Sequence, residues 1–409
     1  MNETLRRWNA ETILLASAAM CALAACGGCD SPHAEALAAV EAGTLARETD
    51  RDRALVHFHR AILHDPACAS AYAQRGRTYL SLGQAELAAA DFTEATRLNP
   101  RDVACRMELA RVWLLQERHE DAIRELTQVL DDDPRSVDAL TTRGAARIRL
   151  GRFEQALADF DAVLNIDPGS DVARLERGVA LLSLGRLAEA EADFNKRLEA
   201  SPHDAMALMR RGTIRRMRNE LDEALADLTA ALRSLELFPE AYLQRGMTHA
   251  AMREDAKALD DFSNALLTRR DYPQALRERA RIFLRQGRHA DALADLSIRL
   301  DQEPDDAAAL VLRGETHLRT EQFPQALADL NRALKQNPNL AAAHSVRGLV
   351  YVRTDRLRQA AADFSRVIEL RPDDAGAYFN RGGVYEKLGR EQEANRDFEQ
   401  AAELQADDP

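Results

Sequence analysis

A period of 34 residues runs without a gap from Glu35 to Asp408. A glycine recurs at whole multiples of this period, at Gly76, Gly144, Gly178, Gly212, Gly246, Gly314, Gly348 and Gly382. A phenylalanine position (Phe58, Phe92, Phe160, Phe194, Phe262, Phe364, Phe398) and a proline position (Pro66, Pro100, Pro134, Pro168, Pro202, Pro304, Pro338, Pro372) follow the same period. Such a period is typical of stacked supersecondary units that bury their apolar faces against one another. Eleven units occupy 374 of the 409 residues, which leaves no room for a separate catalytic domain.

Each period predicts two short helices joined by a tight turn. Between Ser70 and Pro100, small and apolar residues recur at helical spacing in two groups that Gly83 separates. A glycine just past a helix end tolerates the left-handed conformation that closes the helix. The same position holds Gly151, Gly185, Gly287 and Gly389 in other periods. The proline follows the second helix, where a residue without an N–H group is tolerated.

The pattern resembles the tetratricopeptide repeat family, and the residues that carry the resemblance are Gly76, Tyr79, Ala88, Phe92, Ala95 and Pro100. It implies an all-α, right-handed solenoid whose first helices line a concave groove, and whose usual work is protein or peptide binding. The eleven predicted repeats are 35–68, 69–102, 103–136, 137–170, 171–204, 205–238, 239–272, 273–306, 307–340, 341–374 and 375–408. Departures from the pattern include Ala42, which replaces the glycine of the first repeat, and Glu236 and Arg270, which replace the closing proline.

Nine repeats carry an arginine directly before the glycine position and an aspartate directly before the second-helix phenylalanine or leucine. The pairs are Arg75 and Asp91, Arg143 and Asp159, Arg177 and Asp193, Arg211 and Asp227, Arg245 and Asp261, Arg279 and Asp295, Arg313 and Asp329, Arg347 and Asp363, and Arg381 and Asp397. The third repeat has lost both partners, with Leu109 and Glu125 in their places. A bridge within each repeat explains this joint loss, so we predict structural ion pairs that set the register of the two helices.

Composition and motifs exclude several functions. The net charge of −12 argues against nucleic acid as a partner, because phosphate contact favours a basic surface. The sequence has no HExxH, P-loop or GxSxG motif, so we expect no enzyme activity, no catalytic residue, no cofactor and no small-molecule substrate. His57, His59 and His64 share one predicted helix, but residues two apart point to opposite faces, and we expect no metal site.

The first 34 residues do not follow the period. Arg6 and Arg7 precede an apolar stretch from Ile13 to Ala25, which is shorter than the roughly 20 residues of a membrane-spanning helix but suits a secretory signal. The stretch runs into Cys26 and resembles a bacterial lipobox. The resemblance implies that residues 1–25 are a signal peptide, that Cys26 is lipidated, and that residues 26–34 are a short tether. Ordinary cleavage near Ala24 and an uncleaved tail are the alternatives.

Three cysteines lie beyond the lipobox, and an odd number does not suit a disulfide framework. These cysteines are Cys29, Cys68 and Cys105. Cys68 and Cys105 fall near the starts of first helices in successive repeats, which leaves a bridge between them open. We expect them to be unpaired or buried.

First-helix positions that face away from the second helix predict the lining of the groove. In repeats five to seven these positions are apolar: Val172, Leu175, Val179, Leu182, Met206, Met209, Met217, Leu243 and Met247. From repeat eight they are cationic: Arg277, Arg281, Arg285, Arg319, Arg353 and Lys387. One interpretation is structural, since apolar residues also form the core and helix dipoles favour cations near their C-termini. The functional interpretation is a groove for a peptide segment that is apolar at one end and acidic at the other.

The sequence therefore predicts a non-enzymatic protein-interaction scaffold. A lipid on Cys26 would anchor it in the bacterial envelope, facing the periplasm, and Gly27 in place of an aspartate is compatible with sorting to an outer membrane. A soluble cytosolic adaptor and a regulatory subunit of an enzyme on another chain are the alternatives. In the last second helix, Asn395 and Ala402 replace apolar residues, which predicts a polar face that closes the array.

Overall fold

The computed structural model describes residues 31–406, in which all regular elements are helices. These residues form two compact units, an N-terminal unit up to Asp193 and a C-terminal unit from Phe194. The N-terminal unit contains α1 (Pro32–Arg47), α2 (Arg51–His64), α3 (Ala69–Ser81), α4 (Ala85–Leu98), α5 (Val103–Leu115), α6 (His119–Asp132), α7 (Val137–Arg149), α8 (Phe153–Ile166) and α9 (Asp171–Ser183). The division between the units falls within α10 (Leu187–Ala200).

The C-terminal unit continues with twelve helices. They are α11 (Ala205–Met217), α12 (Leu221–Ser234), α13 (Pro239–Ala251), α14 (Asp255–Thr268), α15 (Pro273–Arg285), α16 (His289–Gln302), α17 (Ala307–Arg319), α18 (Phe323–Gln336), α19 (Ala341–Arg353), α20 (Leu357–Leu370), α21 (Ala375–Lys387) and α22 (Glu391–Ala406). Within each unit, an odd-numbered helix packs on the following helix as a hairpin, and each hairpin packs on the next. The predicted all-α solenoid is confirmed.

A left-handed residue closes the turn inside ten of the eleven hairpins. The five predicted glycines adopt φ angles of 69° to 74°. In five other turns a residue that is not glycine adopts the same conformation, which the sequence pattern did not indicate. These residues are Glu117, Asn219, Arg253, Glu321 and Asp355, with φ from 57° to 64°. Because a side chain strains this conformation, the packing of the two helices must impose it at these five turns.

The core of most hairpins is a large side chain seated against a glycine, whereas Ala110 and Ala280 take the glycine position in the third and eighth hairpins. Phe160 is fully buried, and a Cβ added to Gly144 would lie only 2.7 Å from its ring. The two helices approach so closely that no larger residue fits at the glycine without displacement of the ring. Leucine takes the place of the ring in other hairpins, as at Gly212 against Leu228.

The first hairpin departs from the predicted register. The period placed Ala42 at the glycine position, but Gly43 is the residue that packs against the Phe58 ring, where an added Cβ would lie 2.6 Å away. The physical reason lies in the turn. The first turn, unlike the other ten, contains no left-handed residue, so α1 meets α2 in a different phase.

Within residues 31–406, no helix combines the length and the apolar character that crossing a membrane requires. The predicted signal peptide and Cys26 lie outside the described residues, as does Cys29. Lipid anchoring at Cys26 therefore stays a prediction.

Candidate functional site

The nine arginine–aspartate pairs come together within their hairpins, each through two parallel hydrogen bonds. In the second hairpin, Arg75 donates from Nε to Asp91 Oδ2 at 2.8 Å and from Nη2 to Oδ1 at 2.7 Å. The same two-pronged contact joins the other eight pairs. The nine aspartate side chains are only 3–9% exposed. A buried carboxylate needs such a partner, because its desolvation is costly.

These arginines also contact the preceding hairpin, which the sequence analysis did not predict. Arg177 donates from Nη1 to Asp161 of α8 at 2.8 Å while its other nitrogens bind Asp193. The corresponding third contact is made by Arg75 to His59, Arg143 to Thr127, Arg211 to Asn195, Arg279 to Ser263, Arg347 to Asn331 and Arg381 to Ser365. The arginine therefore ties successive hairpins as well as the two helices of one hairpin.

A sequence signal for this third contact exists. The acceptor lies one residue after the second-helix phenylalanine or leucine, and this position is polar in all eleven repeats. The residues are His59, Thr93, Thr127, Asp161, Asn195, Thr229, Ser263, Ser297, Asn331, Ser365 and Glu399.

The aspartates hold the arginines in the charged form. The hydrogen bonds to Asp261 raise the pKa of Arg245, and those to Asp397 raise the pKa of Arg381 in the same way. Binding of two oxygens by a planar guanidinium suits a structural clamp better than an open binding site, because the donors are already used.

The third hairpin keeps an ion pair by another route. Leu109, which replaces the arginine, is 2% exposed and belongs to the core. Arg106, one turn earlier on α5, donates instead to Glu125 at 2.7 Å. The hairpin that appeared to have lost its pair therefore contains a substitute.

The predicted apolar groove residues fall into two groups. Leu175, Val179 and Leu182 lie on α9 of the N-terminal unit and are half-buried. Met206 and Met217 lie on α11 of the C-terminal unit and are 38% and 53% exposed. These five side chains are accessible to a ligand to different degrees, and their role as a groove stays a prediction.

Two of the predicted groove residues are core residues. Met209 is 3% exposed and Leu243 is fully buried, so neither presents a surface to a partner. Leu243 packs with Phe262 and Leu276 in one cluster of the C-terminal unit. At the positions of Met209 and Leu243, a large apolar side chain packs against the next hairpin instead of lining a groove. The sequence pattern alone does not distinguish these two orientations. Met247 is half-buried beside the same cluster.

Most of the predicted cationic groove residues are neutralised by a neighbouring carboxylate. Arg277 donates to buried Asp306 at 2.9 Å and therefore serves the core. Arg281 pairs with Glu278, Arg285 with Asp255, Arg319 with Glu315 and Arg353 with Glu321. Lys387 is exposed at the end of α21. The ladder of cations is thus locally paired at four exposed arginines rather than an uncompensated positive stripe.

A pocket of about 460 Å³ lies between α17 and α19 of the C-terminal unit. It is lined by Glu315, Leu318, Arg319, Val346, Leu349, Val352 and Arg353. The four apolar residues are buried or half-buried, whereas the Arg319 and Arg353 side chains are each 52% exposed. The two predicted arginines therefore come together at an apolar pocket, and the arrangement suits an apolar group that carries a negative charge beside it.

The contacts of Arg353 leave its guanidinium available to a carboxylate of a ligand. It donates from Nη2 to Glu321 at 2.5 Å and lies 5.7 Å from the centre of the Phe323 ring. Because the Glu321 side chain is 67% exposed, this ion pair contributes only about 0–1 kcal/mol. A carboxylate on a ligand can replace Glu321 at low cost, while Phe323 keeps the guanidinium in place.

Sequence analysis missed the apolar residues of this pocket. One sequence indication of the pocket is the residue directly before the arginine position of the period. In repeats two to eight this residue is Gln74, Glu108, Thr142, Glu176, Arg210, Gln244 or Glu278. In repeats nine and ten it is Leu312 and Val346. Of these residues Val346 lines the pocket, whereas Leu318, Leu349 and Val352 occupy other positions of the period.

Two further sites can be assessed from the described residues. Cys68 packs with Ala36 and Ala71, whereas Cys105 packs with Phe92 and Leu109 in a separate cluster, and both thiols are free and buried. Within residues 31–406, no group of three or more histidine, cysteine, aspartate or glutamate residues is placed to hold a metal ion.

The stacked helical hairpins of residues 31–406 place the protein in the class of helical repeat proteins. The family model of the tetratricopeptide repeat matches residues 73–134, 116–171, 141–205, 175–242, 243–298, 277–341 and 345–409. The protein therefore belongs to the tetratricopeptide repeat family, whose members typically mediate protein–protein interaction. No curated protein matches the sequence.

Solved structures are similar to this chain at low sequence identity. A chain of the APC/C hetero-tetramer Cut9–Hcn1 is 18% identical, with a TM-score of 0.55 over 85% of this chain and 76% of that chain. A tetratricopeptide repeat protein from Parabacteroides merdae is 21% identical, with a TM-score of 0.49 over 61% and 99%. MamA is 22% identical, with a TM-score of 0.36 over 39% and 94%. At 18% identity, the similarity to the Cut9–Hcn1 chain shows the fold alone.

Proposed function

We propose that this protein is a non-enzymatic scaffold that binds an exposed segment of a partner protein in the pocket between α17 and α19. The observation that carries the proposal is the combination of an apolar lining with two half-exposed arginines, Arg319 and Arg353. The volume of the pocket, about 460 Å³, lies within the range of roughly 300–1,000 Å³ that is typical of ligand sites. The partner segment carries a large apolar side chain followed closely by Asp or Glu.

Selection from a random peptide library on the full chain tests this proposal. We expect the selected peptides to share an apolar residue next to an acidic one, and Leu349→Arg to abolish their binding by filling the pocket with charge. The matched control is Leu267→Arg, because Leu267 lies in the same unit, is 79% exposed and does not line the pocket. Peptides that bind the Leu349→Arg and wild-type chains equally would overturn the proposal.

A charge reversal keeps the test decisive if Leu349→Arg disturbs folding. Arg353 is 52% exposed, so Arg353→Glu is compatible with the fold. Selection on this variant should enrich Lys or Arg in place of the acidic residue beside the same apolar anchor. An unchanged preference for Asp or Glu would show that Arg353 does not bind the acidic residue of the peptide.

We further propose that a lipid on Cys26 anchors the scaffold in the bacterial envelope, with the outer membrane or the periplasmic face as its location. The lipobox-like sequence that ends at Cys26 supports this proposal. Membrane fractionation of bacterial cells tests it: the chain should remain in the membrane fraction after a high-salt wash, and Cys26→Ala should release it. Ser31→Ala is the control, since Ser31 lies in the adjacent tether and should leave partitioning unchanged. A wild-type chain recovered entirely from the cytosol would favour a soluble adaptor instead.

A further inference from the structure

A second pocket, of about 470 Å³, lies in the N-terminal unit. It is lined by Arg47, Glu48, Arg51, Arg77, Leu80, Ser81 and Glu108, from the first three hairpins. Three of these seven residues are arginines, and none of the seven belongs to the proposed peptide pocket.

The three arginines have no carboxylate partner among residues 31–406. Arg47 donates from Nη1 to the neutral side-chain oxygen of Gln74 at 2.8 Å. Arg51 and Arg77 form no hydrogen bond or ion pair within the described part of the chain, although Arg77 is half-buried. The donors of Arg77 are therefore not used by the protein and remain open to an anionic ligand in the pocket.

Equivalent arginines in other repeats show that the chain normally supplies a carboxylate. Arg111 lies one period after Arg77 and pairs with Asp138 at 2.7 Å. Arg281, six periods after Arg77, pairs with Glu278. Arg319 and Arg353, at the period position of Arg47, pair with Glu315 and Glu321. Arg149, three periods after Arg47, is exposed and also has no carboxylate partner among residues 31–406. The pocket is therefore distinguished by the three arginines that its lining brings together, rather than by the absence of a partner at any one of them.

We propose that the pocket binds a single phosphate group through Arg47, Arg51 and Arg77. Each guanidinium offers a planar fork of donors that matches oxyanions, and a phosphate monoester has three terminal oxygens for the three forks. Glu108 is paired with Arg111 at 3.4 Å, and Glu48 is exposed on the lining. These two carboxylates leave a small net positive charge, which selects one phosphate group over a polyanion such as nucleic acid.

The phosphate can come from a small soluble compound or from a lipid headgroup, and the inference does not depend on the proposed peptide site. The first experiment uses the full chain with Cys26→Ala, which cannot carry the proposed lipid. Isothermal titration with inorganic phosphate at constant ionic strength should show saturable binding, whereas chloride at the same ionic strength should show none. Failure of phosphate to bind saturably would overturn the proposal.

Variants then assign the binding to the pocket. Arg77→Ala and Arg51→Ala should each weaken phosphate binding by about tenfold or more, as expected for loss of a charge-assisted hydrogen bond. Arg281→Ala is the matched control, because Arg281 occupies the equivalent position in the eighth repeat but pairs with Glu278 and does not line the pocket, and it should change the affinity less than about twofold. Undiminished phosphate binding in both Arg77→Ala and Arg51→Ala would overturn the proposal.

Vesicle sedimentation distinguishes the two sources of phosphate. If a lipid headgroup is the ligand, the Cys26→Ala chain should sediment with phosphatidylcholine vesicles that contain phosphatidic acid, and Arg77→Ala should abolish this. Binding of inorganic phosphate without sedimentation would support a soluble phosphate compound. Sedimentation that Arg77→Ala leaves unchanged would contradict a headgroup site in this pocket.

Discussion

The guanidinium of Arg245 faces the carboxylate of Asp261 with two parallel hydrogen bonds, from Nε to Oδ2 at 2.9 Å and from Nη2 to Oδ1 at 2.7 Å. The Asp261 side chain is 4% exposed, and that of Arg245 is 22% exposed. The contact therefore belongs to the interior of the hairpin formed by α13 and α14. The same contact recurs in nine hairpins, and we interpret it as the element that fixes helix register.

Loss of this arginine should destabilise the protein. Arg245→Leu leaves the buried Asp261 carboxylate without its main partner, which costs about 1–3 kcal/mol. Urea denaturation followed by circular dichroism should show a lower midpoint. The control is Arg97→Leu, because Arg97 forms an ion pair with Glu94 at the surface, with a side chain that is 65% exposed, and contributes about 0–1 kcal/mol. Unchanged stability and structure in Arg245→Leu would contradict the register hypothesis.

Any side chain at the glycine of a left-handed turn should lower the free energy of unfolding. Gly185 has a φ of 72° and no atom within 4 Å of an added Cβ, so Gly185→Ala introduces backbone strain without a clash. We expect a loss of about 1–2 kcal/mol in the free energy of unfolding.

Gly383 supplies the matched control for that substitution. It also has open space around an added Cβ, but it lies inside α21 in right-handed conformation. Gly383→Ala should therefore stabilise the protein by up to about 1 kcal/mol, because alanine favours the helix. Equal effects of the two substitutions in thermal denaturation would show that φ does not decide the outcome.

Asp306 predicts a pH-dependent contribution to stability. Burial acts to raise the pKa of this carboxyl, but hydrogen bonds from the Ala309 backbone N–H and from Arg299 lower it below its ordinary value. A depressed folded-state pKa means that ionised Asp306 stabilises the fold above the unfolded pKa of about 3.9, and that this contribution is lost as the pH falls through the folded pKa.

Asp306→Asn tests this linkage, since asparagine retains an oxygen that can cap α17 but loses the charge that faces Arg299 and Arg277. Urea midpoints measured from about pH 6 down to about pH 2.5 should show the variant less stable at the higher pH, with a difference that shrinks below about pH 4. A difference that is the same at every pH would exclude ionisation of Asp306 as its cause.

Cys105 should be chemically inert in the folded protein. Its side chain is fully buried, and burial raises the pKa of its thiol to about 12. At pH 8 the thiolate fraction is then about a thousandfold below that of a thiol with the reference pKa of 9.0. Peptide-level mass spectrometry after iodoacetamide treatment should find Cys105 unmodified until guanidinium chloride unfolds the chain. Rapid labelling of Cys105 under native conditions would contradict the packing of α5 on α4.

Much of the fold could be predicted because the repeats act as an internal alignment. Gly83 and its four equivalents take up the predicted left-handed conformation, and each predicted arginine meets its predicted aspartate. The error at Ala42 arose because the period does not show that the turn after α1 lacks a left-handed residue. The errors at Met209 and Leu243 arose because a first-helix position faces either a groove or the next hairpin, depending on how closely the hairpins pack.

The amino-acid pattern was sufficient to establish the number of repeats, the all-α solenoid and the pairing of Arg245 with Asp261. These features depend on residue spacings inside one hairpin, and the same spacings recur in each repeat. Contacts between hairpins depend on three-dimensional packing. The neutralisation of Arg353 by Glu321 and the missing acceptor of Arg77 each depend on the surroundings of a side chain rather than on its place in the period. Two arginines at equivalent positions in the sequence can therefore have different functions.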